Sequence, residues 1–142
     1  TYIRQYKKLE SYFTCAILDI NIKKRSISYA SGGHPEQIFI HNDKINHVKT
    51  DGPLIGLKED SLFDLKTYTF KKGDKFFLYT DGIVEIINEN YQIFGLRGLG
   101  EILINDLHKP ISDMVKSTVE TIEMYQGELP TTDDKTLIGI QL

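Results

Sequence analysis

The chain has a single cysteine, Cys15, so no disulfide can form within it. A lone thiol is compatible with a reducing cytosol, and a cytoplasmic location is expected. Cys15 lies in the apolar run from Tyr12 to Ile20, where a buried, inert thiol is expected. No apolar run approaches the roughly 18 residues of a membrane-spanning helix, and no stretch reads as a signal peptide. Charge of either sign is not in excess: the net charge of −3 gives no general attraction to nucleic acid or to an anionic membrane. His41, His47 and His108 have no ligand spacing, which argues against a zinc site. There is no Gly-x-Ser-x-Gly, no Cys/His nucleophile pattern and no lysine placed as in a phosphate-binding loop. Repeats, low-complexity segments and linkers are missing too. The first residue is Thr1 rather than methionine, which reads as a piece of a longer protein.

What is present suits one domain: 142 residues, 40% of them hydrophobic and 26% charged. Residues 2–10 read as the end of a helix. Tyr12 to Ile20 reads as a strand buried on both faces, because its apolar residues do not alternate with polar ones. Ser26 to Ala30 alternates on period two. Gln37 to Ile40 and Ile45 to Val48 predict a hairpin around Asn42, Asp43 and Lys44. Phe63 to Phe70 and Lys75 to Thr80 predict another around Lys71 to Asp74. Helical periodicity comes late, over Leu96 to Leu107 and again from Pro110, where Val115, Val119 and Ile122 share a face. Thr136 to Leu142 returns to strand. Short strands with polar turns, two helices and a last strand predict an α+β fold with antiparallel sheets. A last strand returning after two helices can insert between earlier ones.

The most informative pattern is a pair of strand-end carboxylates. Asp81-Gly82 follows the apolar strand Lys75 to Thr80, and Asp133-Asp134 precedes Thr136 to Ile140. If these strands pair antiparallel, carboxylates 52 residues apart become neighbours. Like charges held close repel unless a cation lies between them, and a hard divalent ion with oxygen ligands is the natural choice. Asp-Gly is equally a turn pair, and Asp133-Asp134 equally the polar end of a loop. Two further loops stand out. Ser31-Gly32-Gly33-His34-Pro35 demands a sharp bend, in which His34 either orients a phosphate or water or caps the turn. Gly52 to Leu57 reads as a packing loop.

Together these segments resemble the bacterial branch of the protein phosphatase 2C (PPM) family, of the stage II sporulation protein E and RsbU type. The matching pieces, in family order, are Phe13 to Asp19, Tyr29 to Pro35, Gly52 to Leu57, Gly73 to Glu85, and Asp133 to Leu137. The resemblance implies an antiparallel β-sandwich flanked by helices, the α-β-β-α arrangement of that family. It implies a hydrolase for phosphoserine and phosphothreonine in proteins, with Mn²⁺ or Mg²⁺ as cofactor and two ions sharing the attacking water in a complete domain. By position, Asp81 and Asp133 match metal-ligating aspartates; Asp134 is the weaker candidate. No catalytic side chain is certain beyond a minor role for His34, and Gly32, Gly33, His34 and Gly82 fall in structural loops.

One family feature has no counterpart. Members carry an earlier Gly-Asp-x-x-Asp type motif whose aspartate bridges the metals, whereas Thr1 to Ser11 contains no aspartate and Asp19 matches a non-ligand position. Residues 1–142 are therefore expected to be the C-terminal portion of a single phosphatase domain, N-terminally incomplete, holding one ion or none and inactive alone. Open apolar edges would favour self-association. The expected partners are a phosphoprotein substrate, of the anti-sigma factor antagonist kind, and an N-terminal sensor or regulatory domain. The alternative is a non-catalytic PPM-like interaction module.

Overall fold

The computed structural model describes residues 12–131 and 133–142; the helix expected at 2–10 lies outside them. The chain falls into two compact units. One comprises Thr1–Glu36 with Val48–Phe70, the other Gln37–His47 with Lys71–Leu142.

The first unit carries a three-stranded antiparallel sheet. Its strands are β1 (Cys15–Asn21), β2 (Ser26–Gly32) and β5 (Lys66–Thr69), in the order β1-β2-β5. β2 shows why alternation matters: Ile27 and Tyr29 are fully buried, while Ser28 faces the other way and shares a hydrogen bond with Thr67. The β1–β2 turn closes where Asn21 Oδ1 accepts from the Lys24 N–H at 2.9 Å. Two features of this sheet differ from what the sequence pattern predicts. β1 is an edge strand with one open face, so Ile17 is 62% exposed, and Cys15 is half-buried. β5 does not form a hairpin with the strand that follows Asp74; it pairs with β2, from Ser26 opposite Thr69 to Tyr29 opposite Lys66.

The second unit carries a four-stranded sheet, ordered β4-β3-β6-β7. β3 (Gln37–His41) and β4 (Lys44–Val48) form the expected hairpin. Asn42 and Asp43 both take positive φ (50° and 59°), the conformation a two-residue turn needs to match strand twist. β6 (Lys75–Tyr79) is central and pairs antiparallel with β3 and with β7 (Leu137–Gln141). β7 thus joins the sheet at its edge and does not insert between earlier strands, although its pairing with β6 is the one the carboxylate argument requires.

Three helices intervene: a single turn, α1 (Asp81–Val84), then α2 (Gly95–Asn105) and α3 (Ile111–Gln126). The core joins Ile38, Phe77, Tyr79, Leu99, Leu103 and Ile122. α3 follows Pro110, whose fixed φ suits a helix start, and ends at Gly127 with φ of 64°. Its buried face is Met114, Thr118, Ile122 and Gln126, with Val115 partly buried beside it. Val119, assigned to this face from its spacing, is 38% exposed and lies at the margin of the stripe. Among the described residues no helix is long and apolar enough to cross a membrane.

Candidate functional site

The end of β6 is fixed from both sides. Gln37, fully buried at the start of β3, accepts the Tyr79 N–H at 2.7 Å and donates to the Tyr79 carbonyl at 3.2 Å. On the other side Thr80 and Thr136 exchange bonds. The Thr80 N–H donates to the Thr136 carbonyl at 3.1 Å, and the Thr136 N–H donates to Thr80 Oγ1 at 3.0 Å. Thr80 Oγ1 in turn donates to the Asp134 carbonyl at 3.2 Å. One threonine hydroxyl therefore ties the start of α1 to the segment leading into β7.

This stitching brings the two acidic segments together. Asp81 opens α1 directly after Thr80, and it is exposed. Asp133 and Asp134 are exposed and precede β7. The Asp133 Cβ lies 3.5 Å from the point a β-carbon on Gly82 would occupy. Gly82 is buried against the Asp134 carbonyl, and any larger residue would push the segments apart. One oxygen of each leading carboxylate is engaged locally. Asp81 Oδ1 accepts the Gly82 N–H at 3.1 Å, and Asp133 Oδ1 accepts the Asp134 N–H at 2.8 Å.

The donor chemistry suits a hard cation, but the number of donors does not suffice. Such an ion takes six or more oxygen ligands, several of them from carboxylates. Among the described residues no three His, Cys, Asp or Glu side chains converge as a metal-holding group. The described residues do not by themselves form a complete ion site.

The glycine–histidine loop belongs to the other unit. The Gly33 N–H donates to the Gly52 carbonyl at 2.9 Å, and Gly33 takes φ of 62° with Leu54 packed where a side chain would stand. Gly32 is buried, with no room for a β-carbon between the Pro53 carbonyl and Ile55. His34 is half-buried, and its Nδ1 shares a hydrogen bond with Thr14 Oγ1 at 3.3 Å. That contact ties His34 to the segment that leads into β1.

Sequence reasoning passed over Gln37 and Thr80. Thr80 had a signal, since it directly precedes Asp81. Gln37 had none, because its partner Tyr79 lies 42 residues away.

A family model described as Stage II sporulation protein E (SpoIIE) matches residues 2–142. The phosphoserine phosphatase RsbU of Bacillus subtilis is 26% identical over 144 residues, covering 98% of this chain and 42% of its own length. The phosphoserine phosphatase RsbP of the same organism is 24% identical over 132 residues, covering 92% of this chain and 31% of its own length. The chain thus spans less than half the length of these relatives. Among solved structures, the SiaA PP2C domain of Pseudomonas aeruginosa superposes with a TM-score of 0.85 at 20% identity, covering 99% of this chain and 56% of that one. That likeness places the α+β fold, with its antiparallel sheets and helices, among PP2C domains.

Proposed function

The chain belongs to the stage II sporulation protein E family, and on that premise we propose that it is the C-terminal portion of a PPM-type phosphatase domain. Its activity is hydrolysis of phosphoserine or phosphothreonine on a signalling protein. The observation that carries this reading is the antiparallel pairing of β6 with β7, which sets Asp81 and Asp133-Asp134 at one end of one sheet. The relatives named phosphoserine phosphatase support the same chemistry. In the complete domain Asp81 and Asp133 ligate Mn²⁺ or Mg²⁺, with Asp134 the weaker candidate, and acidic residues outside this chain supply the remaining ligands. The substrate is a regulatory phosphoprotein of the anti-sigma factor antagonist kind, acting in the cytoplasm under an N-terminal sensor or regulatory domain.

The test is an Mn²⁺ titration of phosphatase rate on the full-length protein and on residues 1–142 alone. The full-length protein should show metal-dependent hydrolysis that Asp81→Asn or Asp133→Asn abolishes, and the 142 residues should show little or none. Full activity from the 142 residues would overturn the claim that the site is incomplete. The second reading, a non-catalytic interaction module, draws support from the short supply of ligands among the described residues. A full-length protein that binds the phosphoprotein without hydrolysing it would select that reading.

A further inference from the structure

A cavity of about 210 Å³ opens beside the strand-end carboxylates, with Gly82 and Asp133 in its lining. Ile86 and Leu129 give it apolar walls. Its two interior polar groups are Gln126, which is 7% exposed, and Lys135, which is half-buried. They are coupled: Lys135 Nζ donates to Gln126 Oε1, while Gln126 Nε2 donates to the Leu129 carbonyl at 2.9 Å. That bond uses one of the three donors of the ammonium and leaves its charge uncompensated by any ion pair among the described residues. The acidic members of the lining, Glu85 and Asp133, are both exposed.

Lys135 is the one cation of a lining that also holds the exposed carboxylates of Glu85 and Asp133, and its half-buried ammonium, next to Gln126, has donors left to receive a single negative charge. Removing an ammonium from water costs free energy, and a charge-assisted hydrogen bond to an incoming carboxylate offsets that cost. A doubly charged phosphate is a poorer match. Phosphate sites favour arginine forks or clustered backbone N–H groups, and this lining holds one ammonium and an amide already tethered.

We propose that the cavity receives an acidic side chain of the phosphoprotein substrate, close in sequence to its phosphorylated residue, and that Lys135 is the specificity-determining residue. The inference rests on the phosphatase reading, which puts the phosphoryl group at the Asp81 and Asp133 end of the sheet. An extended peptide spaces same-face side chains about 7 Å apart, a step that suits a neighbouring subsite.

The experiment uses the full-length protein with Mn²⁺ and two phosphoserine peptides that differ only in carrying Glu or Gln two residues from the phosphoserine. The wild type should hydrolyse the Glu peptide with kcat/KM about tenfold higher, through KM, one decade being about 1.4 kcal/mol. In Lys135→Met, which keeps the aliphatic stem, the two peptides should become equivalent. In Lys135→Glu the preference should reverse, the Gln peptide becoming the better substrate. A wild type that does not discriminate, or a preference that survives Lys135→Met, overturns the proposal. Hydrolysis of neither peptide would instead count against the phosphatase reading. The cavity is then judged by fluorescence anisotropy of the same peptides. About tenfold tighter binding of the Glu peptide, lost in Lys135→Met, sustains the inference, and equal binding by the wild type ends it.

Discussion

A β-carbon placed on Gly82 would stand 2.4 Å from the main-chain oxygen of Asp134. The obstacle is backbone, so it cannot rotate away as a side chain would. Gly82→Ala therefore sets two effects against each other. Alanine in a helical turn gains up to about 1 kcal/mol over glycine. Forcing the α1 and Asp134 segments apart costs about 1–3 kcal/mol. The steric effect should win, because the substitution must also strain the hydrogen bonds through Thr80. Chemical denaturation should show a net loss of stability, and an unchanged or higher midpoint would show that the contact is soft.

Burial along α3 predicts unequal costs for two residues three apart. Ile122 is 2% exposed and Val119 is 38% exposed. Ile122→Asp should cost about 3–5 kcal/mol by burying an unpaired charge. Val119→Asp should cost less than about 1 kcal/mol, since its carboxylate reaches water. Thermal melts of the pair decide the matter, and equal destabilisation would contradict the observed orientation of the helix.

Gly139 lets α3 lie directly on β7. A β-carbon there would meet Val115 Cγ2 at 2.8 Å and Ile111 Cγ1 at 2.9 Å, both on stiff β-branched side chains. Gly139→Ala should destabilise by about 1–3 kcal/mol through overpacking. Adding Val115→Ala removes one of the two obstacles, so the double variant should lose less than the sum of the singles. A double-mutant cycle measures that coupling, and strict additivity would place the two residues out of contact.

Asp106, at the end of α2, is held against Lys109 Nζ at 2.6 Å and accepts a hydrogen bond from Ser117 Oγ in α3. The bond from Lys109, and after it the bond from Ser117, lower its pKa below the ordinary carboxylate value. A carboxylate whose pKa falls on folding adds stability above its unfolded pKa and loses it as pH drops through the folded one. Asp106→Asn should cost about 1 kcal/mol at neutral pH, a figure kept small because Lys109 is half exposed. The gap from wild type should close as the medium is acidified below the ordinary carboxylate pKa. Denaturation curves at both extremes test this, and a gap independent of pH would assign the loss to packing.

The elements legible in the sequence were those with their own period and punctuation. β2 alternates, β3 and β4 flank turn residues, and α2 and α3 carry 3.6-residue spacing bounded by Pro110 and glycines. The strand-end placement of Asp81 and Asp133 was legible for the same reason. What failed depended on partners distant in the chain. Lys71 to Asp74 has turn chemistry, yet the strand before it pairs with β2 and the strand after it with β3 and β7. The apolar run of β1 reads as doubly buried because sequence does not reveal which strand lies at an edge. Val119 sits one step round the helix from the true stripe, an angular error that three residues do not resolve. α1 is a single turn, too short to show any period. The cavity beside Asp133 needs Gln126 and Lys135 folded against each other, and nothing in either residue announces that.

The pairing of β6 with β7 also governs when the acidic end of the sheet comes into being. Asp81 and Asp133 are 52 positions apart, and both α2 and α3 lie between them. Closing a loop of that length costs about 3.5 kcal/mol of chain entropy from its size alone, before any contact across it repays the loss. A partly folded chain with only its local hairpins and helices would therefore possess the residues of this site without the site. On the proposed reading, an ion or substrate that bound there would report on the completed fold and would draw the last strand into register. In hydrogen exchange the amides of Thr80 and Thr136 should then open together, as one latch.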